Sequence, residues 1–238
     1  MLWKSVLISL CLLAGNVTAK EHHVKVDAKS WLITNEDGTH VDGKNVNEIR
    51  SIASITKLMT VMAVIDHGQS LDEKIGKYTR NQLIQLALVK SDNKAAEVLC
   101  DNIPGGRSEC IKYMNDKAKY IGMESTKFIE PTGLSPMNIS TAVDLVKLVQ
   151  EASTYDEIVR ASNTPNLKFK YNKKWVSANN TNPLVGKFKF LVSKTGTTNA
   201  AGQCLVMMVD TDKGKRSFIM LGVKRGHRVD EAKNIINL

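Results

Sequence analysis

The sequence has few aromatic residues, few prolines and no long apolar run after its first residues. Aromatic residues make up 5% of the 238 positions and the lysines are spread along the chain, which argues against a nucleic-acid partner. With 5 Pro and 15 Gly, the chain fits no collagen-like or low-complexity class. Beyond residue 14, no apolar run approaches the roughly 20 residues that span a bilayer. We therefore expect no transmembrane span and at most peripheral membrane contact.

Two common hydrolase signals are also missing. The chain contains no G-x-S-x-G motif and, among its five histidines, no H-E-x-x-H motif. These absences argue against a histidine-dependent serine hydrolase and against a zinc hydrolase. We expect neither a metal nor another cofactor.

The overall composition is that of a globular protein with a basic balance. The chain has 33 Lys and Arg against 24 Asp and Glu, a net charge of +9, with 42% apolar residues. Its length suits one domain with a buried core. The charge alone is compatible with an acidic polymer, a membrane surface or nucleic acid as partner.

The first residues have the pattern of a secretory signal. Lys4 precedes the mainly apolar stretch from Ser5 to Ala14, and Val17-Thr-Ala19 places short residues at a cleavage point. The alternative is a buried N-terminal helix. We expect cleavage after Ala19, export to the periplasm and a single catalytic domain over residues 20–238.

Three cysteines would remain after this cleavage. Cys100 and Cys110 flank the turn signal Pro104-Gly-Gly106 between two helical patterns, and they are the natural pair in an oxidising compartment. A bridge across so short a loop would contribute about 2–3 kcal/mol. Cys204 opens an apolar run and is expected to be an inert thiol in the core.

Helical patterns dominate between about residues 58 and 160, and strand patterns flank them. The expected helices are Leu58–Ile65, Asn81–Val89, Ala95–Asp101, Cys110–Tyr120, Thr141–Ala152 and a closing helix His227–Ile236. The expected strands are Trp31–Thr34, Thr39–Val41, Lys187–Ser193, Cys204–Val209 and Phe218–Val223. This order predicts an α/β protein of the α+β type, with an antiparallel sheet formed by both chain ends and a helical cluster inserted between them.

The first candidate motif is Ser54-Ile-Thr-Lys57. Its hydroxyl and amine lie three residues apart, on one face of a helix that is apolar on nearly all sides and so expected to be buried. Burial lowers the pKa of a lysine toward that of a working base, and the backbone amide of Ser54 would be free to stabilise an oxyanion. The alternative is a snorkelling lysine with a serine helix cap. Ser91-Asp-Asn-Lys94 has the same spacing, so spacing alone does not select the pair.

Two further motifs have a functional and a structural explanation each. Ser91-Asp-Asn93 precedes a helix and could simply cap it, or its hydroxyl could relay a proton while its amide positions a substrate carbonyl. Lys194-Thr-Gly196 is expected to end the strand Lys187–Ser193, where an extended peptide could add along a sheet edge and the lysine meet an anion. Its alternative is a solvated lysine before a turn.

In this order the three motifs resemble the S-x-x-K, S-D-N and K-T-G set of penicillin-binding proteins and class A β-lactamases. Other segments resemble the low-molecular-mass D-alanyl-D-alanine peptidases of the S11 serine peptidase family, above all its soluble DD-endopeptidase branch. These segments are Pro104-Gly-Gly106, Met114-Asn115, Glu130-Pro-Thr-Gly-Leu-Ser135 and Asn138-Ile-Ser-Thr141. The resemblance covers the chain from about Trp31 to Val223.

The resemblance implies a role for each matching residue. Ser54 would be the acyl-ester nucleophile, Lys57 its general base and Ser91 a proton relay. Substrate would be held by Asn93, Lys194, Thr195 and Gly196, and the oxyanion by the backbone amides of Ser54 and Thr197. The implied enzyme is a secreted serine DD-peptidase that cleaves D-alanyl peptide bonds of peptidoglycan, cross-links in particular. β-Lactams would inhibit it covalently.

Several alternatives stay open. The family's carboxypeptidase branch commonly adds a C-terminal β-domain and an amphipathic anchor, for which a chain ending at Leu238 has no room, so we favour an endopeptidase. A class A-like β-lactamase needs a glutamate for its deacylating water, and Glu130, Glu151 and Glu157 lie in no convincing loop signature. A non-catalytic penicillin sensor would normally be fused to a membrane or signalling segment. A basic cell-wall or nucleic-acid-binding module would explain the charge alone.

Overall fold

A computed structural model of the chain describes residues 26–236, so the expected signal and its cleavage point after Ala19 lie outside the described residues. The helices are α1 Thr56–Asp66, α2 Arg80–Val89, α3 Asn93–Asp101, α4 Gly106–Tyr120, α5 Ala142–Ala152, α6 Asp156–Ser162 and α7 Arg228–Ile236. The strands are β1 Ser30–Asn35, β2 His40–Lys44, β3 Arg50–Ser51, β4 Lys74–Ile75, β5 Tyr78–Thr79, β6 Ile139–Ser140, β7 Asn166–Tyr171, β8 Lys174–Asn179, β9 Phe190–Thr198, β10 Gly202–Thr211 and β11 Gly214–Val223.

Both ends of the described chain build the main sheet. Its five strands are all antiparallel and follow the order β2-β1-β11-β10-β9, while the helices α1 to α6 come between β2 and β9 in the chain. This confirms the expected α+β architecture with an inserted helical cluster. The strand β9 lies at an edge of the sheet.

The central strands are apolar on both faces because helices cover the sheet on both sides. In β10, Cys204, Val206 and Met208 belong to the core shared with the helical cluster. The alternate residues Leu205 and Met207 pack in a second core that includes side chains of α7. Successive side chains of a strand point to opposite faces, so a strand between two helical layers has a continuous apolar run.

Helix α1 runs through the middle of the helical cluster. Every residue from Thr56 to Val64 is buried, and α2, α3, α4 and α5 pack around it. A helix that is apolar on all sides needs such a position, as the sequence indicated. Among the described residues, no helix combines the length and apolarity needed to cross a bilayer.

Several elements differ from the sequence-based expectation, among them the helix α6, one strand of the main sheet and one hairpin. The strand expected over residues 187–193 instead spans Phe190–Thr198, so Lys194-Thr-Gly196 lies inside the strand, paired with β10, and not at its end. The hairpin β7–β8 is absent from the expected strands, although Leu167, Phe169 and Tyr171 of β7 alternate with polar residues as in a half-buried strand. Its turn residues Asn172 and Lys173 both have positive φ, as a tight two-residue hairpin turn requires.

A disulfide joins Cys100 to Cys110, with their Cα atoms 5.5 Å apart. The bond ties the end of α3 to the first turns of α4, and Gly105 and Gly106, both with positive φ, form the turn between these helices. Cys204 is a free, buried thiol.

Candidate active site

Ser54 lies in a short 3-10 turn, Ala53–Ile55, that leads directly into α1. Lys57 follows in the first turn of the helix, with 0% of the residue exposed. Its Nζ donates a hydrogen bond of 3.0 Å to Ser54 Oγ. The snorkelling alternative for Lys57 is therefore wrong, and Ser54 makes no side-chain cap to the helix.

Lys57 is held entirely by neutral oxygen atoms. Its Nζ also donates to Asn93 Oδ1 at 2.7 Å and to the carbonyl oxygen of Thr132 at 2.6 Å. Burial lowers the pKa of Lys57 to about 8, and the carboxylate of Glu130 opposes this only in part. Near neutral pH part of the amine is thus uncharged, and its lone pair can accept the Ser54 hydroxyl proton.

The loop that follows Glu130 positions the carbonyl of Thr132. One oxygen of the Glu130 carboxylate accepts from the Thr132 backbone N at 2.7 Å, and the other accepts from the Gly133 backbone N at 2.6 Å. Asn138 Nδ2 donates to the same carboxylate at 3.0 Å. The segment that resembles the S11 peptidases therefore folds around its own glutamate and points a main-chain oxygen at Lys57.

Two glycines allow their segments to approach the backbone before Ser54 closely. A Cβ at Gly133, whose φ is +82°, would lie 1.9 Å from the carbonyl oxygen of Ala53. A Cβ at Gly196 would lie 3.0 Å from Ala53 Cβ and 3.1 Å from the Ser54 amide nitrogen. Ala53 itself has a φ of +47°, an uncommon conformation for a residue with a side chain. The turn of Ser54 is thus clamped between the 130–138 loop and β9.

In the Ser91-Asp-Asn93 segment one side chain caps a helix and the other two contact the site. Asp92 caps α3 by accepting from the Ala95 backbone N at 3.0 Å. Ser91, with a φ of +59°, and Asn93 instead turn toward the two buried lysines of the site. Helix capping therefore explains only the middle residue of the motif. Lys94, whose side chain is 77% exposed, forms an ion pair with Glu97 and does not form a buried pair with Ser91.

Lys194 is the second buried lysine, with 1% of the residue exposed. Its Nζ donates to Ser91 Oγ at 2.8 Å and to the Thr195 carbonyl oxygen at 2.9 Å. Burial lowers its pKa well below the usual value, and the charges of Lys57 and Arg228 act in the same direction. The alternative of a solvated lysine before a turn is wrong. A carboxylate placed beside Lys194 would favour its charged form again.

Some residues around the site were not found by sequence reasoning. Arg228, the first residue of α7, donates from Nη1 to the Gly196 carbonyl oxygen and to Thr197 Oγ1, both at 3.2 Å. Thr195 Oγ1 donates to Thr181 Oγ1 at 2.6 Å. No short motif contains Arg228 or Thr181, because only the folded chain brings them next to β9.

The glutamates considered for a β-lactamase are placed differently. Glu130 uses both carboxylate oxygens to organise its own loop, and Glu151 forms a 2.8 Å ion pair with Lys117. Glu157 lies in α6. Glu130, whose charge acts on Lys57, is thus already engaged in holding the Thr132 carbonyl in place.

The side chains that converge on Ser54 are amines, hydroxyls and an amide, a set suited to nucleophilic acyl transfer. A separate group of metal-ligating types, Asp27, His227 and Glu231, has donor atoms within 4.8 Å of one another near the start of α7. None of these three contacts Ser54 or Lys57 in the hydrogen-bond network of the described residues, and the chemistry of the site does not call on them.

The chain matches known proteins in both sequence and structure. A family model for D-alanyl-D-alanine carboxypeptidases, peptidase S11, matches residues 69–224. A D-alanyl-D-alanine endopeptidase of Pseudomonas aeruginosa is 35% identical over 217 residues, covering 81% of this chain and 70% of the relative. One of Escherichia coli is 43% identical over 183 residues, covering 67% of this chain and 59% of the relative.

A solved structure supports the same grouping. Penicillin-binding protein D2 of Listeria monocytogenes, in its ampicillin-bound form, superposes with a TM-score of 0.78 and 26% identity, covering 90% of this chain and 96% of that one. Fold, site and relatives define a serine hydrolase of the peptidase class. The chain belongs to the peptidase S11 family of D-alanyl-D-alanine peptidases.

Proposed function

We propose that this protein cleaves D-alanyl peptide bonds of peptidoglycan through an acyl-enzyme on Ser54, with cross-links as the favoured substrate. The observation that carries the proposal is the 3.0 Å contact between Ser54 Oγ and the Nζ of the buried, pKa-lowered Lys57. Three relatives that are 34–43% identical to the chain are D-alanyl-D-alanine endopeptidases, and this supports the preference for cross-links. A relative named as a carboxypeptidase is 29% identical.

Acylation begins with the transfer of the Ser54 hydroxyl proton to uncharged Lys57. Ser54 Oγ then bonds to the D-alanyl carbonyl carbon, and the oxyanion that forms is stabilised by the backbone amides of Ser54 and Thr197. Collapse of this intermediate breaks the peptide bond. Ser91 relays the proton held by Lys57 to the leaving amine, so that Lys57 is uncharged again; Ser91 Oγ lies 2.8 Å from Lys194 Nζ.

Deacylation reverses these roles with water as the nucleophile. A water attacks the ester carbonyl while Lys57 accepts its proton, and the proton returns to Ser54 Oγ as the ester bond breaks. The products are a free carboxylate on the acyl side and regenerated Ser54. Every proton in this cycle is carried by residues of this chain or by water.

Substrate binding uses the edge of the sheet and the cations next to it. An extended peptide can add along β9 at Lys194, Thr195 and Gly196, with Asn93 holding the acyl side. Lys194 would attract a substrate carboxylate, and Arg228 adds a second cation at the Thr197 end of the same strand. A β-lactam, which presents both a strained amide and a carboxylate, would acylate Ser54 in the same way.

A labelled penicillin tests the nucleophile. We expect one adduct, located on Ser54 by peptide mapping, and none in a Ser54→Ala variant. The matched control is Ser177→Ala, a serine on β8 that begins a similar Ser-x-Asn sequence away from the two lysines. An adduct on any other residue, or none on the folded wild-type protein, would end the assignment.

Purified muropeptides test the preference for cross-links. We expect dimers joined through D-alanyl bonds to be converted into monomers. Release of terminal D-Ala from monomeric pentapeptides, with dimers left intact, would make the protein a carboxypeptidase instead.

The proposal includes export. Residues 1–19 have a signal pattern, so the exported protein would begin at Lys20, and residues 20–238 would form its catalytic domain in the periplasm. N-terminal sequencing of the protein from a bacterial periplasmic fraction checks this, and an intact Met1 would contradict it.

A further inference from the structure

Three side chains of metal-binding types converge at the start of α7, outside the acyl-transfer site. Asp27 precedes β1, whereas His227 and Glu231 lie four residues apart at the first turn of α7. Their donor atoms, a ring nitrogen and one oxygen from each carboxylate, all lie within 4.8 Å of one another. The three residues come from opposite ends of the described chain, so no short sequence motif joins them.

The spacing of His227 and Glu231 is set by the helix. The Glu231 backbone N donates to the His227 carbonyl oxygen at 3.0 Å, so the helical turn already includes His227. Side chains at positions i and i+4 lie on one face of a helix, which is the spacing at which helices present pairs of metal ligands. Asp27 reaches this face from the segment that leads into β1.

Glu231 is the buried member of the group. Only 6% of the residue is exposed, and both carboxylate oxygens are buried without a hydrogen-bond partner among the described residues. Burial and the nearby Asp27 carboxylate raise the pKa of Glu231, and His227 and the backbone amides of Ala28 and Asp27 oppose this only in part. A buried carboxylate is costly unless it is paired or coordinates a metal ion. The unpartnered oxygens therefore point to a cation.

The donor types indicate which cation fits. Zn²⁺ accepts imidazole nitrogen and carboxylate oxygen, and three protein ligands with one water complete its usual four. Mg²⁺ and Ca²⁺ bind to oxygen ligands, so an imidazole in the group argues against them. Asp27 and His227 are exposed, so an ion and its water can reach the group from solvent.

We infer that Asp27, His227 and Glu231 form a structural binding site for a divalent transition-metal ion, Zn²⁺ above all. The bound ion would tie the segment before β1 to the first turn of α7. Arg228, the residue after His227, donates to the Gly196 carbonyl oxygen of β9, so the ion would stabilise the helix that carries this arginine. The inference does not depend on the proposed function.

A zinc titration of the protein, after treatment with a chelator, tests the inference. We expect calorimetry with ZnCl2 to show saturable binding. Glu231→Gln and His227→Ala should each weaken it at least about tenfold, since even the loss of a group that only orients a metal ligand costs about that much. Zinc should also raise the urea midpoint of the wild-type protein but not that of Glu231→Gln. Glu231→Gln removes a buried charge at nearly constant size, so this variant should fold without the ion.

Two control variants test the other histidines. His40→Ala changes an exposed residue of β2, and His22→Ala/His23→Ala removes two histidines that lie outside the described residues. Both controls should bind zinc as the wild-type protein does. The inference is overturned if the wild-type protein shows no saturable binding, if Glu231→Gln binds zinc as tightly as wild type, or if a control variant loses the binding.

Discussion

A largely buried lysine lies at each end of helix α1, Lys57 at its start and Lys117 beside its end, and their pKa values are shifted in opposite directions. At its start, Lys57 is buried among Ser54, Asn93 and the Thr132 carbonyl, and burial lowers its pKa to about 8. At its end, Asp66 pairs with Lys117 of α4 at 2.9 Å, and Glu151 pairs with the same amine at 2.8 Å.

Both lysines have little contact with solvent, so burial alone does not decide their state. Burial acts to lower the pKa of Lys117 too, but hydrogen bonds to Glu151, Tyr155 and Asp66 outweigh it and raise the pKa above its usual value. The difference lies in the acceptors: neutral oxygens leave Lys57 able to lose its proton, whereas two carboxylates fix Lys117 as a cation. The first environment suits a base, and the second a structural ion pair.

The largest expected effect comes from removing the base. Lys57→Ala should lower acylation by a labelled penicillin at least about a thousandfold, because Lys57 is the one amine that contacts Ser54 Oγ among the described residues. The measurement is the second-order rate of adduct formation, together with circular dichroism to show that the fold is retained.

The control for this change is Lys117→Met at the other end of the comparison. Acylation by the Lys117→Met protein should stay within about twofold of wild type, since Lys117 does not contact the site. Retained acylation in Lys57→Ala would reject the role of Lys57, and equal losses in both variants would show that the two lysines are not functionally distinct.

The next largest effect is on the pH dependence of acylation. The base acts only when uncharged, so the rate should rise as pH increases through the Lys57 pKa of about 8. Below that pKa the rate should fall about tenfold per pH unit, reaching about a hundredfold loss two units below it. A profile that is flat from pH 6 to pH 9 would contradict this description of Lys57.

The disulfide links the two environments, because α3 holds Asn93 and α4 holds Lys117. Replacing Cys100 and Cys110 together by serine should lower the free energy of unfolding by about 2–3 kcal/mol, through the freedom that the unfolded chain regains. Urea denaturation measures this. Cys204→Ala is the matched control. Reductant should lower the free energy of unfolding of the wild-type protein but should not change that of the double variant. Equal stability with and without reductant would contradict the prediction.

The smallest expected effect is the stability loss in Lys117→Met. This change leaves the Asp66 and Glu151 carboxylates next to each other without their shared cation. Because these side chains are 20% and 31% exposed, water screens part of the repulsion, and we expect a loss of about 2 kcal/mol. Unfolding in urea at neutral pH checks this value, and a variant as stable as wild type would show that the pair is not structural.

Much of the fold was predictable because it is local in sequence. The apolar run after Ser54 identified a buried helix, the turn between Cys100 and Cys110 suggested their pairing, and the apolar runs of β10 and β11 gave the sheet at the end of the chain. Each of these features depends on the types of side chain within a few neighbouring positions of the sequence.

The rest of the site depends on contacts that no residue type encodes. The Thr132 acceptor of Lys57 is a main-chain carbonyl, which every residue has, and its direction comes from the Glu130 loop. Arg228 reaches the site because α7 packs on β10 and β11, next to β9. The sequence pattern left Lys194 as an exposed edge residue because its hydrogen-bond partner Ser91 lies 103 positions away in the chain.

The position of Cys204 has a consequence for how the chain folds. It pairs with Gly196 across β9 and β10, and burial raises the pKa of its thiol to about 11. Thiol–disulfide exchange needs a thiolate, and at neutral pH only about one such thiol in ten thousand would be ionised. Once β10 has joined the sheet, Cys204 can no longer attack the Cys100–Cys110 bond, so completion of the sheet protects the correct pairing from rearrangement.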